Sequence, residues 1–438
     1  MFRRHCIKLM SNFNFKPSLQ TSSFQPSVWL EFSPLSIQYK AVNLGQGFPD
    51  FEPPKFVTDA LIESVEKGGL NQYARSAGHL RLVNAISKMY SPLFKREIDP
   101  LTEIVTTVGA SEGIFATIQS VVSPGDEVIL IEPYFDIYTG AILMAGGIPK
   151  YVTLRENRQK GQGRSSADWK LDMNELQQAF TEKTKLLLLN NPHNPVGKVY
   201  SKQELEEIAN IVRKHPSAMV ISDEVYEWLV FDQNKHERFA TLPDMYERTI
   251  TIGSAGKTFS ITGWKIGWCI GPKPILKAIA NTHQYIPFST PNPAQEAVAI
   301  SIEKAQSIGY FEEFKSSYQK KRDKLVNTLT QAGFDPVVPQ GAYFVLGDTS
   351  KIQLNGEDGK NTSITGMGKH LRDWNMCRWL TTEIGVAAIP PSAFYSEDHQ
   401  HQSANYARFC FCKKDEVLDK AHENLLKIKS HPNSQNNN

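Results

Sequence analysis

Apolar residues along this chain follow two spacings that alternate. Short unbroken runs of aliphatic and β-branched residues predict buried strands, whereas apolar residues three and four apart predict helices. The strands predicted in this way are 103–108, 126–131, 147–154, 184–189, a stretch at 218–226 with Asp223 at its carboxyl end, and 248–252. Helices are predicted over 55–66 and 78–90 and from Ser201, where Glu204 completes a capping box. Strand and helix alternate from about residue 56 to 283, which predicts an α/β domain with a mainly parallel sheet.

The later part of the chain has a different pattern. A long, charged helix leads into short strands that are not separated by regular helices, which predicts a smaller α+β domain. A chain of 438 residues is long enough for two domains. The predicted elements are a helix at 311–331, strands at 334–346, 386–389 and 407–411, a helix at 374–383, and surface loops at 155–169 and 356–368.

Composition and charge argue against several classes of partner. The chain has 48 basic and 46 acidic residues, so its net charge of +2 predicts neither a nucleic-acid nor a membrane partner. No run reaches the roughly 18 apolar residues of a membrane span. The five cysteines form no C-x-x-C pair, which fits a reducing compartment and predicts neither a disulfide framework nor a metal site.

The two ends of the chain differ from the rest in composition. Residues 1–25 contain several basic residues and no acidic one, which favours a disordered tail in a cytoplasmic protein. The alternatives are a mitochondrial presequence and an extension that precedes a true start at Met10. Residues 429–438 are polar and rich in asparagine, which predicts a second disordered tail.

Candidate functional residues follow the predicted strands at their carboxyl ends, where ligands collect in parallel sheets. They are Ser111, Phe135, Asn194, Asp223 and Ser254. Each has an ordinary structural explanation when taken alone; a phenylalanine, for example, is most often a core residue. Their convergence on one edge of one sheet favours a ligand site.

The stretch 254–268 contains the most reactive candidate. Lys257 lies among small residues, so its amine can attack a carbonyl once burial lowers its pKa. Ser254 and Lys265 add a hydroxyl and a second cation, which suit a phosphate group. By itself the stretch also fits a basic surface loop. Arg408, in a later apolar strand, is either a clamp for a carboxylate or an edge residue that reaches solvent.

Four motifs in this order resemble class I, fold-type I pyridoxal-phosphate aminotransferases. They are Asn43-Leu-Gly-Gln-Gly-Phe-Pro-Asp-Phe51, Asn191-Pro-His-Asn-Pro-Val-Gly197, Asp223-Glu-Val-Tyr226 and Ser254-Ala-Gly-Lys-Thr-Phe-Ser260. The resemblance covers about residues 29 to 425 and is strongest to the kynurenine aminotransferase, glutamine transaminase K and methionine aminotransferase group. It implies a three-layer large domain at 56–324 and a smaller α+β domain built from both chain ends, 26–55 and 325–428.

The resemblance also implies a role for each matching residue. Lys257 would bind the cofactor, pyridoxal 5′-phosphate, covalently and act as general base and acid, while Asp223 would pair with the pyridine nitrogen. Asn194 and Tyr226 would hydrogen-bond the 3′ oxygen of the cofactor. The other implied contacts on the cofactor ring are Phe135 and Val225, one on each face. The implied phosphate contacts are Ser254, Lys265, the main-chain N–H groups of Ser111 and Glu112, and Tyr73 from the neighbouring subunit. The implied substrate contacts are Arg408, Gly45, Asn194, Trp29 and Phe288.

The activity implied is transfer of the amino group from a bulky, uncharged L-amino acid to a 2-oxo acid. Methionine, glutamine, aromatic amino acids and kynurenine are the candidate donors, and Phe288-Ser289 is more similar to the methionine-preferring members. The enzyme would be a homodimer in which Tyr73 and Phe288 complete the site of the partner subunit. The alternatives are β-elimination from cysteine S-conjugates on the same cofactor and a non-catalytic pyridoxal-phosphate-binding protein.

Overall fold

The computed structural model describes residues 16–18, 20–22, 24, 26–158, 163–354 and 363–431. Most of both predicted tails and part of the predicted loop at 356–368 lie outside the described residues. The strands are β1 (Val42–Asn43), β2 (Ile104–Val108), β3 (Glu127–Glu132), β4 (Ile148–Glu156), β5 (Trp169–Leu171), β6 (Thr184–Asn190), β7 (Met219–Asp223), β8 (Thr249–Ser254), β9 (Ile266–Ile270), β10 (Asp335–Val337), β11 (Phe344–Asp348), β12 (Val386–Ala387) and β13 (Tyr406–Cys410). The α-helices are α1 (Trp29–Gln38), α2 (Lys55–Glu66), α3 (Leu80–Phe94), α4 (Gly109–Val121), α5 (Ile137–Met144), α6 (Met173–Ala179), α7 (Lys202–Arg213), α8 (Ala255–Thr258), α9 (Lys273–Tyr285), α10 (Asn292–Ser307), α11 (Tyr310–Gln331), α12 (Arg372–Trp379) and α13 (Asp415–Leu426).

An eight-stranded sheet in the order β2-β9-β8-β7-β6-β3-β4-β5 forms the centre of the larger part of the molecule. The strands from β8 through β7, β6 and β3 to β4 are parallel, whereas β9 and β5 pair antiparallel with their neighbours. The leucines at 186–189 in β6 are buried on both faces of the sheet. Burial stabilises the fold by about 1.5–3 kcal/mol for each such side chain. The predicted α/β class with a mainly parallel sheet is confirmed.

A second, smaller group of strands joins the two ends of the chain. Strands β10, β11 and β13 form an antiparallel sheet, and β1 pairs in parallel with β12, with Val42 opposite Val386. Helix α11, which is 22 residues long, packs against α13 and β10 of this region. The smaller α+β part built from both chain ends is therefore present, and the residue limits of the two domains stay a prediction.

One predicted stretch is longer than its strand, and one strand was not predicted. The stretch 218–226 forms a strand only up to Asp223, the residue predicted at its carboxyl end, so Val225 and Tyr226 lie in the turn that follows it. Strand β9 was not predicted, because its alternation of glycine, tryptophan and cysteine has no clear period. Gly267 is required there, since a Cβ at this position would lie 2.6 Å from the main-chain nitrogen of Ala110. The glycine lets helix α4 approach the sheet closely.

Several chain segments leave the sheet at one edge. The carboxyl ends of β3, β6, β7 and β8 lie side by side there, and the chain enters α4 directly after β2. The predicted capping box of Ser201 and Glu204 is confirmed at the start of α7. None of the described helices combines the length and apolar character that crossing a bilayer requires.

Candidate active site

A cavity of about 350 Å³ opens at the carboxyl ends of the parallel strands. Eleven of the fifteen predicted site residues line it. They are Trp29, Ser111, Phe135, Asn194, Asp223, Val225, Tyr226, Ser254, Lys257, Lys265 and Arg408. Residues from widely separated parts of the chain therefore meet at the sheet edge, as the sequence predicts.

Lys257 lies in the short helix α8, immediately after β8. Its Nζ donates a hydrogen bond of 2.6 Å to the hydroxyl of Tyr343 and lies 3.5 Å from the carbonyl oxygen of Gly47. Burial lowers the pKa of Lys257 from its usual 10.5 to about 8, against the opposing effect of Cys412 and Asp223, and the neighbouring cations Lys265 and Arg408 act in the same direction as burial. Near neutral pH this amine is therefore far more often deprotonated, and nucleophilic, than an exposed lysine.

Asp223 ends strand β7 and is buried beneath the cavity. Its Oδ2 accepts a hydrogen bond of 2.5 Å from the hydroxyl of Tyr138, and its Oδ1 accepts one of 3.3 Å from the main-chain N–H of Val225. Burial raises the pKa of Asp223 to about 6, although these hydrogen bonds and Lys257 oppose the shift. A cation placed against this carboxylate would relieve the cost of burying its charge.

Arg408 and Asn194 meet at another part of the cavity wall. Arg408 donates hydrogen bonds from Nη2 to the carbonyl oxygen of Gly45 at 2.9 Å and from Nη1 to Oδ1 of Asn194 at 3.3 Å. Its Nε is buried and has no hydrogen-bond partner among the described residues. Arg408 itself is 1% exposed, so an anion in the cavity would satisfy both the charge and the free donor. The alternative of an edge residue reaching solvent is wrong.

Aromatic and aliphatic side chains form the walls of the cavity. Phe135 and Val225 both line it, and the Arg408 guanidinium lies 4.4 Å from the ring centroid of Phe344 and 5.5 Å from that of Trp29. Cation–π contacts of this kind hold the guanidinium plane in place without using its donors. A flat ring could lie between Phe135 and Val225 while an anion reaches Arg408.

The end of the cavity near Lys265 is suited to a phosphate. Helix α4 begins at Gly109, and the first main-chain N–H groups of a helix have no partner within it. A Cβ on Gly109 would lie 3.2 Å from Nζ of Lys265, so glycine leaves room for the lysine at the helix terminus. Ser254 and Ser111 also line the cavity. The donors present therefore fit a doubly charged oxyanion.

Four predicted site residues do not line the cavity. Gly45 contacts it indirectly, through its hydrogen bond to Arg408. The Glu112 carboxylate turns away, because its Oε2 interacts with the main-chain N–H of Val108 and with Nδ1 of His283 at 3.0 Å each. Tyr73 and Phe288 lie together on the surface, 82% and 47% exposed, with ring centroids 5.0 Å apart.

Two tyrosines with direct contacts to the predicted catalytic groups were not predicted. Tyr138 lies in α5, three residues after Phe135, and Tyr343 precedes β11. Both occur in largely apolar stretches, where a tyrosine is expected to be a core residue. The sequence gives only a weak indication of a role for Tyr343. It follows Gly341-Ala342 at a break in a predicted strand pair, which marks a change of chain direction.

The site combines an amine with a lowered pKa, a buried carboxylate beside a space for a flat ring, donors suited to a phosphate and a buried guanidinium. Together with the eight-stranded sheet, this set defines a pyridoxal-phosphate-dependent aminotransferase. The chain belongs to the family described as aminotransferase class I and II, whose profile matches residues 39–425. Enzymes of this class use pyridoxal phosphate, and this protein is a transaminase with that cofactor.

Similar proteins and structures agree on this class. The chain is 66% identical to kynurenine–oxoglutarate transaminase of Dictyostelium discoideum, over 97% of this chain and 99% of the relative. It is 43% identical to human kynurenine–oxoglutarate transaminase 3, over 93% and 89%. Among solved structures, Bna3p of Saccharomyces cerevisiae matches with a TM-score of 0.90 at 35% identity, over 95% and 99% of the two chains. The Escherichia coli methionine aminotransferase YbdL matches with a TM-score of 0.82 at 34% identity, over 94% and 100%.

Proposed function

We propose that this aminotransferase takes the amino group from bulky, uncharged L-amino acids. The observation that carries the proposal is the environment of Arg408. Its free Nε suits the α-carboxylate of a substrate, and Arg408 is the one arginine among the described residues that line the cavity. A side-chain carboxylate would therefore lack a second clamp, whereas Trp29 and Phe344 offer an apolar surface. Methionine, glutamine, aromatic amino acids and kynurenine fit this description.

Different residues of the chain would bind the cofactor, move the proton and hold the substrate. When bound, pyridoxal phosphate supplies an aldehyde that receives the amino group and an electron-poor ring that stabilises negative charge at the substrate Cα. Lys257 Nζ would bind the cofactor and then remove and return the Cα proton. Asp223 would keep a proton on the ring nitrogen, and Tyr138 would orient its carboxylate. Arg408 and Asn194 would hold the substrate carboxylate.

The remaining predicted contacts hold the cofactor in place. Phe135 and Val225 would cover the two faces of the ring, and Tyr226 would donate to its 3′ oxygen. The phosphate would be bound by the N-terminus of α4, including the main-chain N–H groups of Ser111 and Glu112, together with Ser254 and Lys265. Ser111, Ser254 and Lys265 support this arrangement because all three line the cavity.

A panel of amino donors tests the proposed specificity. The names of the relatives suggest kynurenine as a donor and 2-oxoglutarate as an acceptor, so both belong in the panel beside methionine, phenylalanine, glutamine, alanine and aspartate. We expect kcat/KM for methionine, phenylalanine and kynurenine to exceed that for aspartate by at least about tenfold, which corresponds to the loss of one charged contact. A preference for aspartate would contradict the proposal.

We also propose that the active enzyme is a homodimer. Tyr73 and Phe288 are exposed and in ring contact, and Tyr285 and Ile286, just before Phe288 in the chain, are exposed as well. The loop that carries Tyr73 is anchored by a 3.1 Å hydrogen bond from Asn292 to Gln72. Exposed aromatic side chains of this kind are typical of a protein interface. In a dimer this surface would cover the partner's cavity, with Tyr73 reaching the phosphate and Phe288 the substrate side chain.

Complementation between two inactive variants tests the shared site. Lys257→Ala retains Tyr73, and Tyr73→Ala retains Lys257, so a mixed dimer would contain one complete site. We expect each variant alone to have strongly reduced activity and mixed, refolded dimers to regain a measurable part of it. If the mixture is no more active than the two variants measured separately, Tyr73 does not act across the interface.

A further inference from the structure

Asp136 occupies the N-cap position of helix α5 without capping it. Aspartate is favoured at this position because its carboxylate usually accepts hydrogen bonds from the first turn. Among the described residues, no N–H of the first turn of α5 donates to the Asp136 side chain. Oδ2 instead accepts hydrogen bonds from the indole Nε1 of Trp29 at 3.2 Å and the hydroxyl of Ser27 at 3.4 Å. The carboxylate therefore links the end of β3 to a segment more than a hundred residues earlier.

The arrangement is costly for the fold. The second carboxylate oxygen of Asp136, Oδ1, is buried and has no hydrogen-bond partner among the described residues. Leaving such an acceptor unsatisfied destabilises the fold, because the buried oxygen has lost its hydrogen bonds to water. A side chain that stabilised only its own helix would turn toward the first turn of α5. The hydrogen bonds that the carboxylate makes are instead those with Trp29 and Ser27.

Trp29 connects Asp136 to the substrate side of the cavity. Its ring lines the cavity, and the Arg408 guanidinium lies 5.5 Å from the ring centroid. The indole thus has its N–H on Asp136 and its ring close to the group that would hold the substrate carboxylate. Trp29 is partly buried against the hydrophobic core, and its hydrogen bond to Asp136 sets the direction of the indole N–H.

We propose that Asp136 is a positioning residue that fixes the Trp29 indole as a wall of the substrate side-chain pocket. It thereby favours donors whose side chains reach that wall. The inference rests on the proposed donor class, since it explains how bulky side chains are selected. A donor such as phenylalanine would contact the indole, whereas the methyl group of alanine would stop short of it. Loss of Asp136 would then weaken the first donor selectively.

A double-mutant cycle on the holoenzyme tests this assignment. The variants are Asp136→Ala, Trp29→Phe and the double variant, each measured with L-phenylalanine and L-alanine by the change in cofactor absorbance during the amino-donor half-reaction. We expect Asp136→Ala to lower the phenylalanine-to-alanine ratio of kcat/KM about tenfold, as for a lost hydrogen bond to a charged group. Taking the ratio cancels any general effect of removing a negative charge near Arg408. In the Trp29→Phe background, Asp136→Ala should change the ratio no further.

Asp136→Asn is the matched control, because its amide oxygen can still accept from the indole N–H. It should keep the ratio within about twofold of wild type. Three results would each overturn the assignment. They are an equal loss of kcat/KM for both donors, additive effects of Asp136→Ala and Trp29→Phe on the ratio, and a loss of the ratio in Asp136→Asn as large as in Asp136→Ala. If Asp136→Ala is insoluble, Asp136→Leu, which is similar in shape but accepts no hydrogen bond, takes its place and should lower the ratio in the same way. A wild-type enzyme that prefers alanine to phenylalanine would contradict the proposed donor class. In that case, the change in the phenylalanine-to-alanine ratio between variants would still test whether Asp136 positions Trp29.

Discussion

Lys257 and Tyr343 are joined by a hydrogen bond of 2.6 Å, and the Tyr343 hydroxyl donates a further bond of 2.5 Å to the carbonyl oxygen of Gly47. The tyrosine comes from the smaller region of the chain, immediately before β11, whereas the lysine follows the central strand β8. The hydroxyl therefore links the amine to the Gly47 loop. The contact means that the position of the catalytic amine depends on both parts of the molecule.

The first prediction concerns the Tyr343 hydroxyl. Tyr343→Phe removes the acceptor of the lysine and leaves its aromatic packing against Tyr226 and Phe344 in place. We expect kcat to fall at least about tenfold, because a hydrogen bond to a charged group contributes about 1.5–3 kcal/mol. Tyr318→Phe, which alters a buried tyrosine whose ring stacks on Tyr343, is the control and should change kcat by less than about twofold. Equal losses in both variants would argue for a general packing effect.

The second prediction concerns pH. Because burial lowers the pKa of Lys257 to about 8, the fraction of neutral amine rises steeply up to pH 8 and then levels off. The rate at which the apoenzyme captures pyridoxal phosphate should follow this fraction, since the neutral amine is the nucleophile. Stopped-flow absorbance between about pH 6 and 10 measures it, with N-α-acetyl-lysine as the reference amine. A capture rate that keeps rising to about pH 10.4, as for an ordinary lysine, would contradict the assigned pKa.

The third prediction concerns substrate binding. Arg408→Lys keeps a positive charge but loses the planar fork and the free Nε donor. We expect KM for amino donors to rise about a hundredfold, in the range of about 2–5 kcal/mol measured for buried charge pairs. The absorbance of the bound cofactor should stay as in wild type, because the groups that would hold the cofactor are all retained. A loss of cofactor without a change in KM would place the arginine in a structural role.

The fourth prediction concerns a buried ionic network next to the turn that follows β7. Arg238 donates to the carboxylates of Glu224, at 2.6 Å, and Glu227, and His236 and Tyr90 also bond to these carboxylates. The two glutamates flank Val225 and Tyr226, which face the cavity. The network therefore anchors the turn that carries these two cavity residues.

Arg238→Met would leave two buried carboxylates without their main cation. Removing one partner of a buried ion pair costs about 3–5 kcal/mol, so the thermal midpoint of the holoenzyme should fall by several degrees. Lys420→Met breaks an exposed pair with Glu423 and should have almost no effect. Equal midpoints for the two variants would show that the network does not stabilise the turn.

The parts of the fold that follow from local pattern are predictable from the sequence. An unbroken apolar run such as β6 is typical of a strand that is buried on both faces of a parallel sheet. The residues that follow such strands then lie together at the edge of the sheet formed by the carboxyl ends. That reasoning alone brings Asn194, Asp223 and Ser254 to one edge of the sheet. The resemblance to aminotransferases then supplies the roles, and the family comparison confirms the class.

The parts that depend on distant partners could not be predicted. Nothing near Tyr138 in the sequence indicates that its hydroxyl would meet Asp223, because the contact forms only when α5 packs beneath the sheet edge. The orientation of the Glu112 carboxylate also could not be predicted, because it interacts with His283 of α9, which is 171 residues away in the sequence. Tyr73 and Phe288 remain exposed in one chain, so their proposed roles depend on a second copy.

Lys257 is the residue assigned to carry the cofactor, and its attachment can be measured directly. Treatment of the holoenzyme with sodium borohydride, followed by proteolysis and mass spectrometry, locates the lysine to which the cofactor was attached. We predict a reduced phosphopyridoxyl group on the peptide that contains Lys257, and none on Lys265, which lines the same cavity. Finding the group on Lys265 or on another lysine, with Lys257 unmodified, would contradict the assignment.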